Sequence, residues 1–451
     1  MRKLKILNSR MMKNGLKSAG LLVLTLAGAV FLMGQGLPKG PTWDKSASQA
    51  RETKQPKVPV ASPSMKAGSS GIEVRQSGSV SRHKTLKEAI AAAGSSQATL
   101  CIPPGSWTIA ENLLLPPNIS LKFERGAILD INKDVVVTIN GEIDAGFFPI
   151  FNGEGSIQGN IQSLYIYPQW WGAQGNGSND DYEAISKAVK AATSGRLYFK
   201  RGIYLTSKMI ILPDHIFIDC DPQTIIEAVK PMECIIAVKT PNYGIQQFTL
   251  KNMILDGNNL AENCLKLYKI SMNNFVALEG IWAKRAVNDG VSLQACQGGS
   301  FGNITATHNG GHGISVEGCN AAKLYAISSV QNKKSGIRIS SFKDSGGQGY
   351  GGACTLAAIH SEQNSEHGVE IINMGKANTP NIEWGWIEGN AIDGIRVTNS
   401  EANINGVKIN GQDSGGGNFA IHLISGKANI SGCVFASSNR GSFAQVKDSK
   451  Y

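Results

Sequence analysis

Charge and aromatic side chains are both scarce in this chain of 451 residues, at 17% and 7% of the sequence. Outside residues 19–33 there is no apolar run that could cross a bilayer, which excludes membrane insertion of the mature body. The eight cysteines (101, 220, 234, 264, 296, 319, 354 and 433) lack metal-type spacing, so no zinc framework is expected. They are read as buried thiols, with Cys296 and Cys319 one coil apart. The glycine-rich run 346–352 lacks the strand-to-helix setting of a phosphate loop. Calcium-binding nonapeptide repeats are absent as well. The net charge of +10 is unevenly placed: residues 1–36 carry six positive charges and 37–85 a net six, leaving the remainder at −2. A nearly neutral body has no surface for neutralising phosphates, so nucleic acid is excluded as a partner.

What the chain does have is glycine, 52 residues of it, and a repeated phrase. An Asn, three residues, then Gly and a β-branched residue occur at Asn309–Ile314, Asn332–Ile337, Asn364–Val369 and Asn390–Ile395. From Gly290 onward the glycines step by 23, 23, 32 and 26 residues. Such a period is too short for paired helices and suits one coil of a solenoid built from short strands and tight turns. Gly and Asn tolerate the left-handed backbone those turns require, and stacked asparagines can bond from coil to coil. The expected fold is all-β, a right-handed parallel β-helix, whose outer faces carry long columns of side chains suited to an extended polymer.

Residues 1–36 read as an export signal: Arg2, Lys3, Lys5, Arg10, Lys13 and Lys17 precede the apolar run Ala19–Met33 and the small residues after it. The protein is therefore expected in the periplasm, at the cell surface or outside the cell. Residues 37–84, rich in Pro, Ser, Lys and Gln, read as a flexible basic linker. Thr85-Leu86-Lys87-Glu88 is a capping-box pattern, with Leu86, Ala89, Ile90 and Ala93 forming a helical stripe after it. A second helix carries Ala184, Ile185, Ala188 and Val189 on one face. Leu100–Trp107 and Leu197–Tyr204 align at an offset of 97, as do Leu115-Pro116 and Leu212-Pro213. Residues 85–170 are accordingly read as an N-terminal β module duplicating the start of the main β-helix, 171–451.

Trp170-Trp171-Gly172-Ala173-Gln174-Gly175-Asn176-Gly177-Ser178-Asn179-Asp180-Asp181, followed by Ala184-Ile185 and Ala188, resembles the opening motif of the pectate-lyase-like superfamily. In that family a Gly-Asp-Gly loop precedes Thr-Asp-Asp and a short helix; here Asn176 stands where the family usually has Asp. The resemblance extends over residues 171–451 and implies a right-handed parallel β-helix. It implies no single chemistry, since the superfamily holds lyases, hydrolases, epimerases and non-catalytic binders. Gly311-His312-Gly313 is similar to the Gly-His-Gly element of polygalacturonases, and Arg338-Ile339 to their Arg-Ile-Lys. Ser340 replaces the Lys, and the paired Asp expected between Asn288-Asp289 and His312 is missing, so polygalacturonase activity is not expected.

Several constellations bear on chemistry. Asp180-Asp181 is read as capping the helix near Tyr182 rather than as a catalytic pair. Glu362 and Glu388 share one repeat position on adjacent coils, about 4.8 Å apart, close enough to raise one pKa and form an acid/base pair. They are the expected catalytic residues. Trp384 and Trp386 alternate to one face of a strand and are expected to stack on sugar rings, with Trp386 beside His360. Two residues beyond the repeat Gly stand Ser292, Ser315, Arg338, Glu370 and Arg396. Before it stand Asp289, His312, Ser335, His367 and Asp393. Arg338, Arg396 and His367 are taken as substrate contacts, because Arg binds sugar carboxylates in bidentate fashion. Loops at Ser341–Ala353, Met374–Asn381 and Gly411–Gly417 are expected to line a groove.

These readings point to an exported carbohydrate-active protein that binds, and cleaves or modifies, an acidic polysaccharide as a lyase or glycoside hydrolase. A non-catalytic adhesive scaffold is the alternative, and a tailspike-type depolymerase a third. No cofactor is required; calcium is allowed, although no spacing points to it. A monomer is expected, with a trimer as the alternative.

Overall fold

A computed structural model describes residues 71–192, 195–213, 215–239, 247–270, 276–374, 378–411, 419–436 and 445–447. The expected leader, most of the expected linker and the loop 411–417 beyond its first residue lie outside the described residues. The linker ends earlier than expected: Ile72–Gln76 and Ser79–His83 form an antiparallel hairpin whose first strand pairs with Ala98–Ile102. Ile72 and Val74 alternate into the core and hold it there, at 0% and 1% exposure.

The first helix, α1 (Leu86–Ala93), begins at Thr85, whose hydroxyl accepts from Glu88 N at 3.2 Å, while Glu88 Oε2 accepts from Lys84 N at 3.0 Å. The second, α2 (Tyr182–Ala191), buries Ile185, Ala188 and Val189. Its two acidic neighbours divide their work. Asp180 Oδ1 accepts from Tyr182 N and Ser207 N, whereas buried Asp181 makes no cap and accepts from Gln174 N at 2.7 Å and Gly175 N at 3.0 Å. Asp181 thus ties down the loop of the Trp170–Asp181 motif.

From Asn176 onward the chain winds as a parallel β-helix, its strands falling into two large sheets. Sheet I, of 14 strands, includes Phe248–Asp256, Val276–Lys284, Ser300–Thr307, Lys323–Val330, Thr355–Glu362, Asn381–Glu388 and Glu401–Asn410. Sheet II, of 10 strands, includes Ala261–Tyr268, Val291–Gln294, Ile314–Glu317, Ile337–Ser340, Val369–Ile372, Ile395–Thr398 and Ile421–Ile424. Alternation decides what goes inside. Val291, Ile314, Ile337, Val369, Ile395 and Ile421 form one buried column, and Leu293, Val316, Ile339, Ile371, Val397 and Leu423 another. Their side chains, β-branched at every position but Leu293 and Leu423, pack well on a pleated surface.

Two corners shape each coil. Halfway along the sheet I strands the backbone turns left-handed at Asn252, Gly280, Asn303, Ala326, Ala358, Trp384 and Gly406. At their far end a left-handed residue such as His308, Gln331 or Gln363 precedes the repeat Asn. Those asparagines point inward and form a ladder. Asn309, Asn332 and Asn364 each donate from Nδ2 at 2.9 Å to Oδ1 of the Asn one coil on, and the four residues Asn309, Asn332, Asn364 and Asn390 are at most 1% exposed. Each Oδ1 also accepts a backbone N–H, so a buried corner leaves few polar groups unpaired.

Candidate functional site

The structure puts the expected site residues on two different sheets. Glu362, Glu388, His360, Trp384 and Trp386 leave from sheet I; Arg338 and Arg396 leave from sheet II; His367 sits in the corner between them.

On sheet I the register is as counted: Val330, Glu362 and Glu388 are consecutive partners, and His360 pairs with Trp386. Each carboxylate, however, is tied to its own strand. Glu362 Oε2 lies 3.1 Å from His360 Nε2, and Glu388 Oε2 accepts from Trp386 Nε1 at 2.5 Å. Both tryptophans stand outside the core, Trp384 at 67% and Trp386 at 42% exposure. Lys408 Nζ lies 4.1 Å over the Trp386 ring and occupies one of its faces. Trp384 occupies a left-handed corner (φ 52°), so it escapes simple alternation, and Glu383, Trp384 and Trp386 all face outward.

On sheet II the outward column reads Lys266, Ser292, Ser315, Arg338, Glu370, Arg396 and His422. Here charges pair across coils. Arg338 NH1 lies 3.3 Å from Glu317 Oε1, and its Nε lies 3.6 Å from Glu370 Oε2. Glu317 also accepts from Gln294 and Ser315. The hairpin Phe342–Lys343/Gly349–Tyr350, which fills the long step of the repeat, folds back beside this sheet. Its Asp344 lies 2.8 Å from Lys269 Nζ, Phe342 meets Tyr268 edge-on, and a Cβ on Gly318 would strike Phe342 and Tyr350.

The corner beside sheet II holds buried titratable groups that stand in one column of the sequence, among them His367, expected as a substrate contact but 3% exposed. Arg396 NH1 donates to His367 Nε2 at 3.2 Å, which leaves the His367 proton on Nδ1, 3.2 Å from Asp393 Oδ2. His422 Nδ1 lies 3.1 Å from the same oxygen. Burial pushes the fully enclosed Asp393 carboxyl up, but the His367 contact and the Phe419 N–H outweigh it and hold it below the usual range. Two coils before His367, burial and then the charges of Arg338 and Lys334 press His312 down to about 3. Asp289, which accepts from His312 N at 2.7 Å, is raised by burial.

His312, Glu366 and Glu370 bring one donor atom each within 4.8 Å of one another, the only such group of three among the described residues. Calcium wants six to eight oxygens, which this set does not offer. A softer cation would need an imidazole lone pair. His312 Nδ1 already accepts the N–H of Ser335 at 3.2 Å, so the neutral ring carries its proton on Nε2. The trio therefore suits proton transfer better than metal ligation.

Residues 170–386 match the family described as rhamnogalacturonase A/epimerase, pectate lyase-like. This segment is pectate-lyase-like. The matched span starts at the Trp170–Asp181 motif and ends at Trp386, so it includes His312, Glu366 and Glu370 but not Asp393, Arg396 or His422. Among solved structures, the chain is similar to the A-module of mannuronan C-5 epimerase AlgE6 of Azotobacter vinelandii (18% identity, 62% of this chain and 79% of that one, TM-score 0.51). It is also similar to a family 28 exopolygalacturonase of Yersinia enterocolitica (9%, 64% and 79%, TM-score 0.47). A third likeness is to ORF18 of Geobacillus virus E2 (14%, TM-score 0.46), of whose length the chain spans 61%. At these identities the epimerase likeness shows the fold alone. No curated protein sequence matches the chain. Among the described residues no helix is long and apolar enough to cross a membrane.

Proposed function

We propose that this protein is exported by its N-terminal leader, binds an acidic polysaccharide across sheet II, and modifies it there by proton transfer of the lyase or hydrolase type. The observation that carries the reading is a partly exposed guanidinium, Arg338, held between Glu317 and Glu370 beside the buried His312. Arg338 and Arg396 offer planar donors for sugar carboxylates. Neighbouring cations stabilise the charge that develops when a proton leaves the carbon next to such a carboxylate. Glu366 and Glu370, next to the fixed Nε2–H of His312, can take and return that proton. The pair Glu362 and Glu388 on sheet I is the competing acid/base assignment, with Trp384 as its sugar platform.

The test is incubation of the protein with acidic and neutral polysaccharides, calcium present, and mass spectrometry of the products. Unsaturated oligosaccharides identify a lyase, and hydrated ones a hydrolase. Retention of a polymer with no product favours the adhesive scaffold, a reading supported by the mutual pairing of the sheet II charges.

A further inference from the structure

A cleft of about 260 Å3 opens far from the Arg338 corner, at the start of sheet I, and none of the roles proposed above uses it. Its walls are Tyr165, Arg196, Phe217, Asp219, Thr249 and Lys251. The fold puts them together by register. Arg196, Phe217 and Thr249 are successive partners on adjacent strands, and Tyr165 is brought alongside by the bridge between Ile166 and Leu197.

The lining has a definite chemistry. Phe217 is 39% exposed although it lies on a strand of the main body, and Tyr165 packs against Tyr198 at 5.0 Å, which fixes its ring. Among the described residues neither Arg196 nor Lys251 makes a direct ion pair, so two positive charges face the space beside the single carboxylate of Asp219. Asp219 is held by Asn252 Nδ2 at 2.9 Å and Cys220 N at 2.8 Å, both on Oδ1, which leaves its other oxygen for a ligand. Two cations, aromatic walls and one oriented carboxylate match a sugar ring that carries an acid group: the cations take the acid, the rings face the apolar side of the pyranose, and Asp219 and Thr249 take hydroxyls. The size suits a single ring rather than a polymer run.

We infer that this cleft is a subsite for one uronate residue, separate from the sheet II corner. The class of ligand rests on the acidic-polysaccharide reading; the convergence of unpaired cations does not. The test uses the intact protein and ligand-observed NMR titration with galacturonate, trigalacturonate and, as the neutral control, galactose. Galacturonate should bind in the millimolar range and galactose at least tenfold more weakly. Arg196→Gln/Lys251→Gln, both exposed positions, should cost at least tenfold in galacturonate affinity with an unchanged melting curve. Tighter binding of trigalacturonate through the same two residues supports a polymer as the source, whereas equal affinities support a free sugar acid. No galacturonate binding, equal binding of galactose, or indifference to the double substitution overturns the inference. Polysaccharide turnover measured beside it separates the two ideas, since turnover can persist when this cleft fails and the cleft can bind when turnover is absent.

Discussion

The outer faces of sheet I and sheet II carry the same kinds of side chain and use them differently. On the late coils of sheet I, Glu362 and Glu388 bond to aromatic neighbours two residues away in their own strands, His360 and Trp386, and these groups are partly exposed. On sheet II, acids bond across coils, as Glu317 and Glu370 do through Arg338, and the groups behind them are enclosed. A carboxylate paired along its strand keeps its water and costs little to place. One enclosed with cations and imidazoles exchanges hydration for fixed partners, which is the condition under which its proton affinity can be tuned. Outward direction alone does not enclose a group; packing against adjacent coils does, as the contacts of Asp393 with His367 and His422 show.

The largest effect that could break this contrast is on turnover. Glu366→Gln/Glu370→Gln is expected to lower the rate on the processed polysaccharide by at least 100-fold, in line with loss of general acid–base groups. Glu362→Gln/Glu388→Gln is expected to stay within about threefold, since each of these half-buried carboxylates is already bonded within its own strand. The reverse ranking, read from initial rates, would move the chemistry to sheet I.

Next comes the corner that separates the sheets. Asn332→Ala removes one rung of the ladder, leaving Asn309 Nδ2 and the N–H of Asn309 without their shared acceptor. A loss of about 2–4 kcal/mol is expected, since buried donors are left unpaired and a cavity opens. Urea unfolding measures it; a loss below about 0.5 kcal/mol would mean that water replaces the rung.

Enclosure on sheet II should also appear as pH dependence. His312 binds its proton only near pH 3 when folded, against about 6.5 when unfolded. The unfolded chain therefore holds the extra proton between these values, and stability falls as pH drops through that window, by up to ~1.4 kcal/mol per pH unit. His312→Asn should flatten the slope between pH 4.5 and 6.5. Asp393, held below its usual range, loses its contribution only at more acid pH, as pH falls through its folded value, while Asp289, shifted upward, acts in the opposite sense. Comparison with the variant therefore isolates the imidazole. A slope that His312→Asn leaves unchanged would show that the ring is already accessible to protons.

Much of this was legible because a solenoid repeats. The glycine period set the coil, the inward Asn named the corner, and counting from it paired Glu362 with Glu388 and His360 with Trp386. Counting gives height along the axis, however, and not which sheet a side chain leaves from. Glu362 and Arg338 were joined on paper and parted in space, because the Asn corner lies between their strands. His367 and Asp393 stand in one column before the repeat Gly, a usable signal, yet burial is what gives a column its chemistry, and burial depends on neighbouring coils. The hairpin at 72–83 was missed because only Ile72 and Val74 supply its apolar face in a stretch otherwise rich in polar residues.

Trp384 gives the smallest and most discriminating prediction. Alternation was to bring it to the face of Trp386; it gets there instead through a left-handed backbone, where the same position holds Gly280 and Gly406 on other coils. A bulky residue in that conformation costs about 1 kcal/mol or more, and its ring gains little burial in return at 67% exposure. Trp384→Gly should therefore leave stability unchanged or raise it by up to ~1 kcal/mol, because glycine adopts the corner without strain. If sheet I serves as a sugar platform, the same substitution should weaken retention on an acidic polysaccharide column by a few-fold, while Trp386→Ala, whose ring face Lys408 already covers, should matter less. Loss of stability with no change in retention would show that the ring is held there by packing on Gly406, and would leave sheet I without a part in binding.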